Sequence, residues 1–156
     1  MTDFVGWFGS TATPPPDPST SWSFGQGGAG LRLWTGHLPS TPFESGGVAV
    51  LVLGRARLQG QDAQSAALAQ RLHADWLRDR RLPTSEMRGQ YLAVLVDSRD
   101  GSALLVSDRF GSVPAVHRPL PGGGRAFASS LDVLRRQFPQ CEYRLDEQAL
   151  YAYVYH

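Results

Sequence analysis

Residues 48–54 read VAVLVLG, an apolar run with no polar residue at alternate positions. A strand with one wetted face alternates; an unbroken run is the pattern of a strand covered on both faces. Any fold of this chain must therefore place material above and below that strand. A second strand follows at 91–97, YLAVLVD. SRDG then reads as a turn and ALLVSD as the returning strand, so the pair predicts a hairpin. With 156 residues, 42% of them apolar, the chain can bury one proper core, and a single domain over 1–156 is expected. That apolar content and a net charge of +1 argue against disorder.

The rest of the chain supplies partners for those strands. DFVGWF near the start reads as a buried first strand, and LRLWTG alternates like another. Between them, STATPPPDPSTS and SFGQGGAG are rich in Pro, Ser, Thr and Gly, so 10–30 reads as a flexible loop. Pro39, Pro42 and Gly46-Gly47 mark a further turn region. From 61 to 81 the period becomes helical. Ala69, Leu72, Trp76 and Leu77 form the apolar stripe, Arg71, Asp75, Arg78 and Asp79 the solvated face, and Pro83 bars continuation. SVPAVH and RAFAS read as short strands joined across PLPGGG. SSLDVLRRQF reads as a short helix capped by Ser129 or Ser130. LDEQALYAYVYH predicts a last helix, capped by Asp146 and stapled by Leu145 on Leu150. That pattern stops in mid-helix, as in a domain taken from something longer. Antiparallel-looking strand groups with helices in separate blocks favour α+β over a doubly wound sheet.

Composition excludes several roles. Fifteen basic and fourteen acidic residues exert no net pull on nucleic acid or an anionic membrane. All fifteen basic residues are Arg, a usage that suggests a high-GC genome more than a binding mode. The single cysteine, Cys141, rules out an intrachain disulfide and fits a reducing cytosol. No basic-then-apolar leader and no long apolar span is visible, so a cytoplasmic chain is expected.

The stretch from Arg88 to Arg136 carries the most specific pattern. It contains Arg88-Gly89-Gln90-Tyr91, then Asp108-Arg109-Phe110-Gly111 with Pro114, then Phe127-Ala128-Ser129-Ser130. In order and spacing these segments resemble the glutaminase domain of asparagine synthetases, with its D-R-x-G-x-x-P-L turn and F-A-S-E strand-to-helix junction. The likeness extends to the first residues. The family begins Met-Cys-Gly-x-x-Gly-x-Phe-Gly, and this chain begins Met1-Thr2-Asp3-Phe4-Val5-Gly6-Trp7-Phe8-Gly9. Thr2 thus stands at the nucleophile position. The resemblance implies an N-terminal nucleophile fold, a four-layer α-β-β-α sandwich of two antiparallel sheets, with the first strand inside it.

The glutamine-handling residues of that family are altered here. Its H-R-G-P-D loop has no counterpart in PPPDPSTSWSFGQGGAG. Its oxyanion-stabilising Asn, in N-G-E, is replaced by Leu53 before Gly54, and leucine donates nothing to an oxyanion. The aspartate of its S-D-T-E segment would fall near GQDAQSAAL, where Asp62 matches poorly, and the letters around Arg32 do not match those of its carboxylate-binding arginine. No residue is therefore assigned a catalytic role; Thr2 marks the degenerate nucleophile position. The resemblance implies a scaffold domain of an asparagine synthetase-like ligase that has lost glutamine hydrolysis, as in β-lactam synthetases and lasso-peptide cyclases. Among these a lasso-peptide cyclase, which closes a macrolactam, fits the compressed glutamine-site region best. ATP and Mg²⁺ would belong to a downstream synthetase domain. The implied partners are that domain, a precursor peptide or small amino-acid-derived substrate, and leader-peptide-handling proteins. Two other readings stay open. One is an amidohydrolase using Thr2 with its own α-amine as base. The other is a stand-alone binding module.

Other candidates read as structure. Glu44–Val50, ESGGVAV, has the glycine pair of a phosphate cradle but precedes a strand, so it reads as a turn. Asp108 and Arg109 read as fastening the bend before Pro114. His37, His73, His117 and His156 lack metal-ligand spacing, and His73 reads as lying on the polar helix face. Cys141 has no basic neighbour to activate it. Trp76 and Leu72 read as core, and Tyr151, Tyr153 and Tyr155 as an interface with whatever follows.

Overall fold

A computed structural model describes residues 3–9, 14–15, 17–26, 28–34, 40–59, 61–62 and 66–143. The chain is mixed α and β. It forms strands β1 (Asp3–Phe8), β2 (Trp22–Gln26), β3 (Ala29–Trp34), β4 (Ser40–Ser45), β5 (Val48–Leu58) and β6 (Gln61–Asp62). Helix α1 (Ala66–Asp79) follows, then β7 (Met87–Asp97), β8 (Ser102–Ser107), β9 (Val116–Pro119), β10 (Arg125–Ala128) and helix α2 (Leu131–Gln137). Every strand pair is antiparallel. One sheet runs β2-β3-β1-β10-β9; the other runs β4-β5-β7-β8, with β6 paired to β5.

Three apolar clusters explain the run at 48–54. Leu51 and Leu53 join Phe4, Leu31, Leu33, Leu92, Val94 and Phe127 in a cluster drawn from both sheets. Val48, Val50 and Val52, one residue out of phase, pack with Leu68, Ala69 and Leu72 of α1. Successive side chains of a strand point to opposite faces, so both faces of β5 are covered, as its sequence requires. The third cluster sets Val5, Trp7 and Ala128 against Val133, Leu134 and Phe138 at α2.

Local chemistry fixes the connections. Gly46 and Gly47 have φ of 58° and 80°, the two left-handed positions of a type I′ hairpin turn between Ser45 and Val48. The glycine pair of ESGG is therefore a turn, as its sequence predicts, while Glu44 and Ser45 end β4. The hairpin across 98–101 pairs Asp97 with Ser102, and Ser130 caps α2 by accepting from the Val133 N–H at 3.3 Å. At Gly6, any Cβ would fall 2.0 Å from the Phe127 ring, so glycine lets that ring cross the strand.

Several expectations need correcting. The segment 10–30 is not one flexible loop. Trp22–Gln26 and Ala29–Trp34 form a hairpin, because Trp22 and Phe24 pack on the inter-sheet cluster from one side of the strand. The helix expected from 61 is described only from Ala66. Gln59 turns left-handed at φ 53°, and Gln61–Asp62 fold back on Leu58 and Arg57. Pro42 sits in β4 rather than in a turn, and an edge strand tolerates proline there. The helix stripe is also rotated from the expected one: Leu77 is 45% exposed, while His73 and Asp75 are buried. The expected last helix, with Asp146, Leu145, Leu150 and the three tyrosines, lies outside the described residues, as do Pro39, His37 and His156.

Candidate functional site

The start of β1 is the place to look for chemistry, since the resemblance puts the nucleophile position there. Thr2 itself lies outside the described residues. The strand that follows it is central, between β3 and β10. Its first residues are clamped by the strand-to-helix junction. The Ser129 N–H donates to the Phe4 carbonyl at 3.1 Å, and Ser129 Oγ accepts from the Phe4 N–H at 3.3 Å. The same hydroxyl donates to Asp3 Oδ1 at 3.0 Å, and Arg136 stands 3.9 Å from Asp3. These bonds satisfy both main-chain groups of Phe4 and the side chain of Asp3, and so fix the start of β1. Sequence reasoning assigned Ser129 no such role, although the Phe127-Ala128-Ser129-Ser130 junction was its visible signal.

Leu53, where the resemblance would put the oxyanion donor, is fully buried in the inter-sheet cluster with Phe4 and Leu92. Arg32 lies on the other face. Its cross-strand neighbour Val5 belongs to the α2 cluster, and its guanidinium lies 5.4 Å from the Trp7 ring. It donates to the carbonyls of Pro14 (3.0 Å) and Pro15, and to Gln137 Oε1 at 3.1 Å. Gln137 in turn donates to Asp17, and Asp17 accepts from the Ser19 N–H and hydroxyl. Arg32 therefore anchors the proline-rich segment against the outer face of its sheet. Asp62 pairs with Arg57 in the β5–β6 ladder. The structure thus does not bring Arg32 and Leu53 to one face.

Asp108 is buried and organises the bend before Pro114. Its carboxylate accepts from the N–H groups of Tyr91 (3.1 Å), Phe110 (2.8 Å) and Ser112 (3.1 Å), and from the Ser112 hydroxyl. Burial pushes its pKa up, but the donors of Phe110, Tyr91 and Ser112 together outweigh burial and hold it below the ordinary value. Asp108 is the fastener; Arg109 is exposed.

The remaining candidates are accounted for by packing. His73, expected on the polar face, is buried edge-on to Phe43, and its Nε2 donates to the Ser45 carbonyl at 2.9 Å. Asp75 is buried between Arg71 and Arg78. Cys141 is buried in the α2 cluster. His117 is exposed, with Arg125 Nη1 3.3 Å from its Nδ1. Asp97, unremarked in the sequence, is the most engaged carboxylate among the described residues. It accepts from Arg99, Arg80 and the Trp76 indole, tying the end of α1 to the β7–β8 hairpin.

Hollows open at two places away from the start of β1. One, of about 470 Å³, lies where α1 ends, among Arg71, Arg78, Arg81, Leu82 and Glu86. The other, of about 350 Å³, lies between β8 and the 111–117 segment. Neither is lined by Asp3, Arg32, Leu53 or Ser129. No three His, Cys, Asp or Glu side chains among the described residues could hold a metal ion. The Gly46-Gly47 turn joins two antiparallel strands and opens no helix, so it does not fit the phosphates of ATP. No described helix is long and apolar enough to cross a membrane. No protein-family profile, curated protein or solved structure matches this chain.

Proposed function

We propose that this chain is a glutaminase-shaped domain without glutaminase chemistry. It serves as the scaffold domain of an asparagine synthetase-like, ATP-dependent amide-forming ligase, and a lasso-peptide cyclase is the member that fits best. In this reading the three apolar clusters hold four layers together: α1, the β4-β5-β7-β8 sheet, the β2-β3-β1-β10-β9 sheet and α2. That is the layer order of the N-terminal nucleophile fold.

The observation that carries the reading is Leu53. An oxyanion needs donors aimed at it, and losing one costs on the order of 100-fold or more in rate. Here the corresponding side chain is a buried leucine in the inter-sheet cluster. Arg32 supports the same reading, because main-chain carbonyls and Gln137 occupy its guanidinium. A domain in this state supplies packing and shape to a ligase. The ligase activates a carboxylate with ATP and Mg²⁺ in its own domain, and an amine already on the substrate closes the ring.

The gene tests the assignment. Reading the transcript past the codon for His156 should reveal a continuing frame that encodes S-G-G-x-D-S, the pyrophosphate loop of a synthetase domain. A stop codon at that point would overturn the ligase assignment and leave a stand-alone module.

A further inference from the structure

Among the described residues, four strands lie at the ends of the two sheet paths, and three of these are blunted against further pairing. β4 carries Pro42 and Glu44, β9 carries Arg118 and Pro119, and β2 is five residues long with Gly25 left-handed at φ 93°. β8, Ser-Ala-Leu-Leu-Val-Ser, has no proline, glycine or charge. Its ladder phase follows from the Asp108 N–H, which donates to the Tyr91 carbonyl at 3.0 Å. Antiparallel ladders alternate, so Ala103, Leu105 and Ser107 aim their N–H and C=O groups away from β7.

What lies beside that edge limits what can pair with it. β1 packs on β8, and β3 on β7. The first sheet continues from β1 to β10 and β9, whereas the second stops at β8. β10 and β9 therefore project about 5–10 Å beyond the β8 edge. A second copy pairing edge to edge would drive its own β10–β9 projection into this one. A single added strand meets no such obstacle.

The walls of this lane set the chemistry of its occupant. At the Ser107 end lies the cleft of about 350 Å³, lined by Leu92, Leu105, Val113, Pro114 and Val116. Overhead, His117 pairs with Phe127, a member of the inter-sheet cluster, and Arg125 lies two residues before Phe127 on the same face. Both are exposed. Asp108 is engaged by its own turn and Asp100 by Arg80.

We propose that the β8 edge beneath the projecting β9–β10 hairpin is a docking lane for one extended peptide segment. The segment adds antiparallel to β8, seats an apolar side chain in the cleft, and sets an acidic side chain two residues later against Arg125 and His117. Main-chain bonds to Ala103, Leu105 and Ser107 supply affinity, and the cleft and the Arg125–His117 pair supply selectivity. The ligase reading is not needed for this surface.

The probe is the blocked hexapeptide acetyl-Thr-Leu-Thr-Glu-Thr-Thr-amide, titrated into the intact chain and followed by amide NMR and hydrogen exchange. Binding should saturate, and the amides of Ala103, Leu105 and Ser107 should gain about tenfold or more in protection. Ser107→Pro removes one outward N–H at an exposed position and should weaken binding about tenfold. Arg125→Glu, also at an exposed position, should weaken the glutamate peptide but not its glutamine version. Four results would overturn the proposal: no saturation, protection gained elsewhere, affinity for the glutamate peptide unchanged by either substitution, or the same amides protected by rising protein concentration without peptide.

Discussion

Two residues decide most about the region that resembles a glutaminase turn. Asp108 draws four donors onto one carboxylate, and Gly111 completes the bend at φ 61°. A β-branched residue is costly in that left-handed region even though open space surrounds the position. Gly111→Val should therefore destabilise the fold by about 1–3 kcal/mol, read as a lower Tm. An unchanged Tm would contradict this account of the turn. Ser129 makes a second prediction. Ser129→Ala strips the partner from the Phe4 N–H and from Asp3. It should cost about 1–3 kcal/mol and speed hydrogen exchange at Phe4. Unchanged exchange there would mean that the clamp does not hold the start of β1.

At the scale of elements, the Asp97 cluster ties the end of α1 to the β7–β8 hairpin. The Arg99 guanidinium, with the Trp76 indole and Arg80, outweighs burial and holds the Asp97 carboxyl well below the usual carboxylate range. A depressed folded-state pKa adds stability that is complete above the unfolded value, about 4, and lost as pH falls toward the folded one. The denaturant midpoint should thus fall between pH 5 and pH 2, and fall less in Asp97→Asn. Parallel curves for the two proteins would remove Asp97 from the acid limb. This cluster also marks where sequence reading stops. Periodicity located the strands at 48–54 and 91–97, the return at 103–108 and the short helix after Ser130, because each is a local pattern. LRLW reads as a strand, but its partner Trp22–Gln26 was hidden because glycine signals both looseness and tight turns. Only the inter-sheet cluster that receives Trp22 and Phe24 separates the two cases. His73 and Asp75 are buried through partners on other turns and strands, Ser45, Phe43, Arg71 and Arg78. No window along the helix contains all of them.

At the scale of the molecule, two sheets and two helices are joined by three apolar clusters, and the inter-sheet cluster fills the space behind the first strand. In the proposed reading Leu53 stands where a donor is missing; its burial in the core could not be read from the sequence, since that depends on Phe4 and Leu92 arriving from distant strands. Leu53→Asn restores the donor type but buries an amide among apolar neighbours. It should destabilise by about 2 kcal/mol or more without creating glutamine hydrolysis. Gain of that activity would mean that the site needs only its donor.

The most direct measurement is ammonia release from glutamine by the chain after Met1 removal, with Thr2→Ala beside it. The account predicts equal rates for the two, at the level of buffer. Release that depends on the Thr2 hydroxyl would contradict it, because an amide-cleaving centre would then be at work in a domain read here as a scaffold.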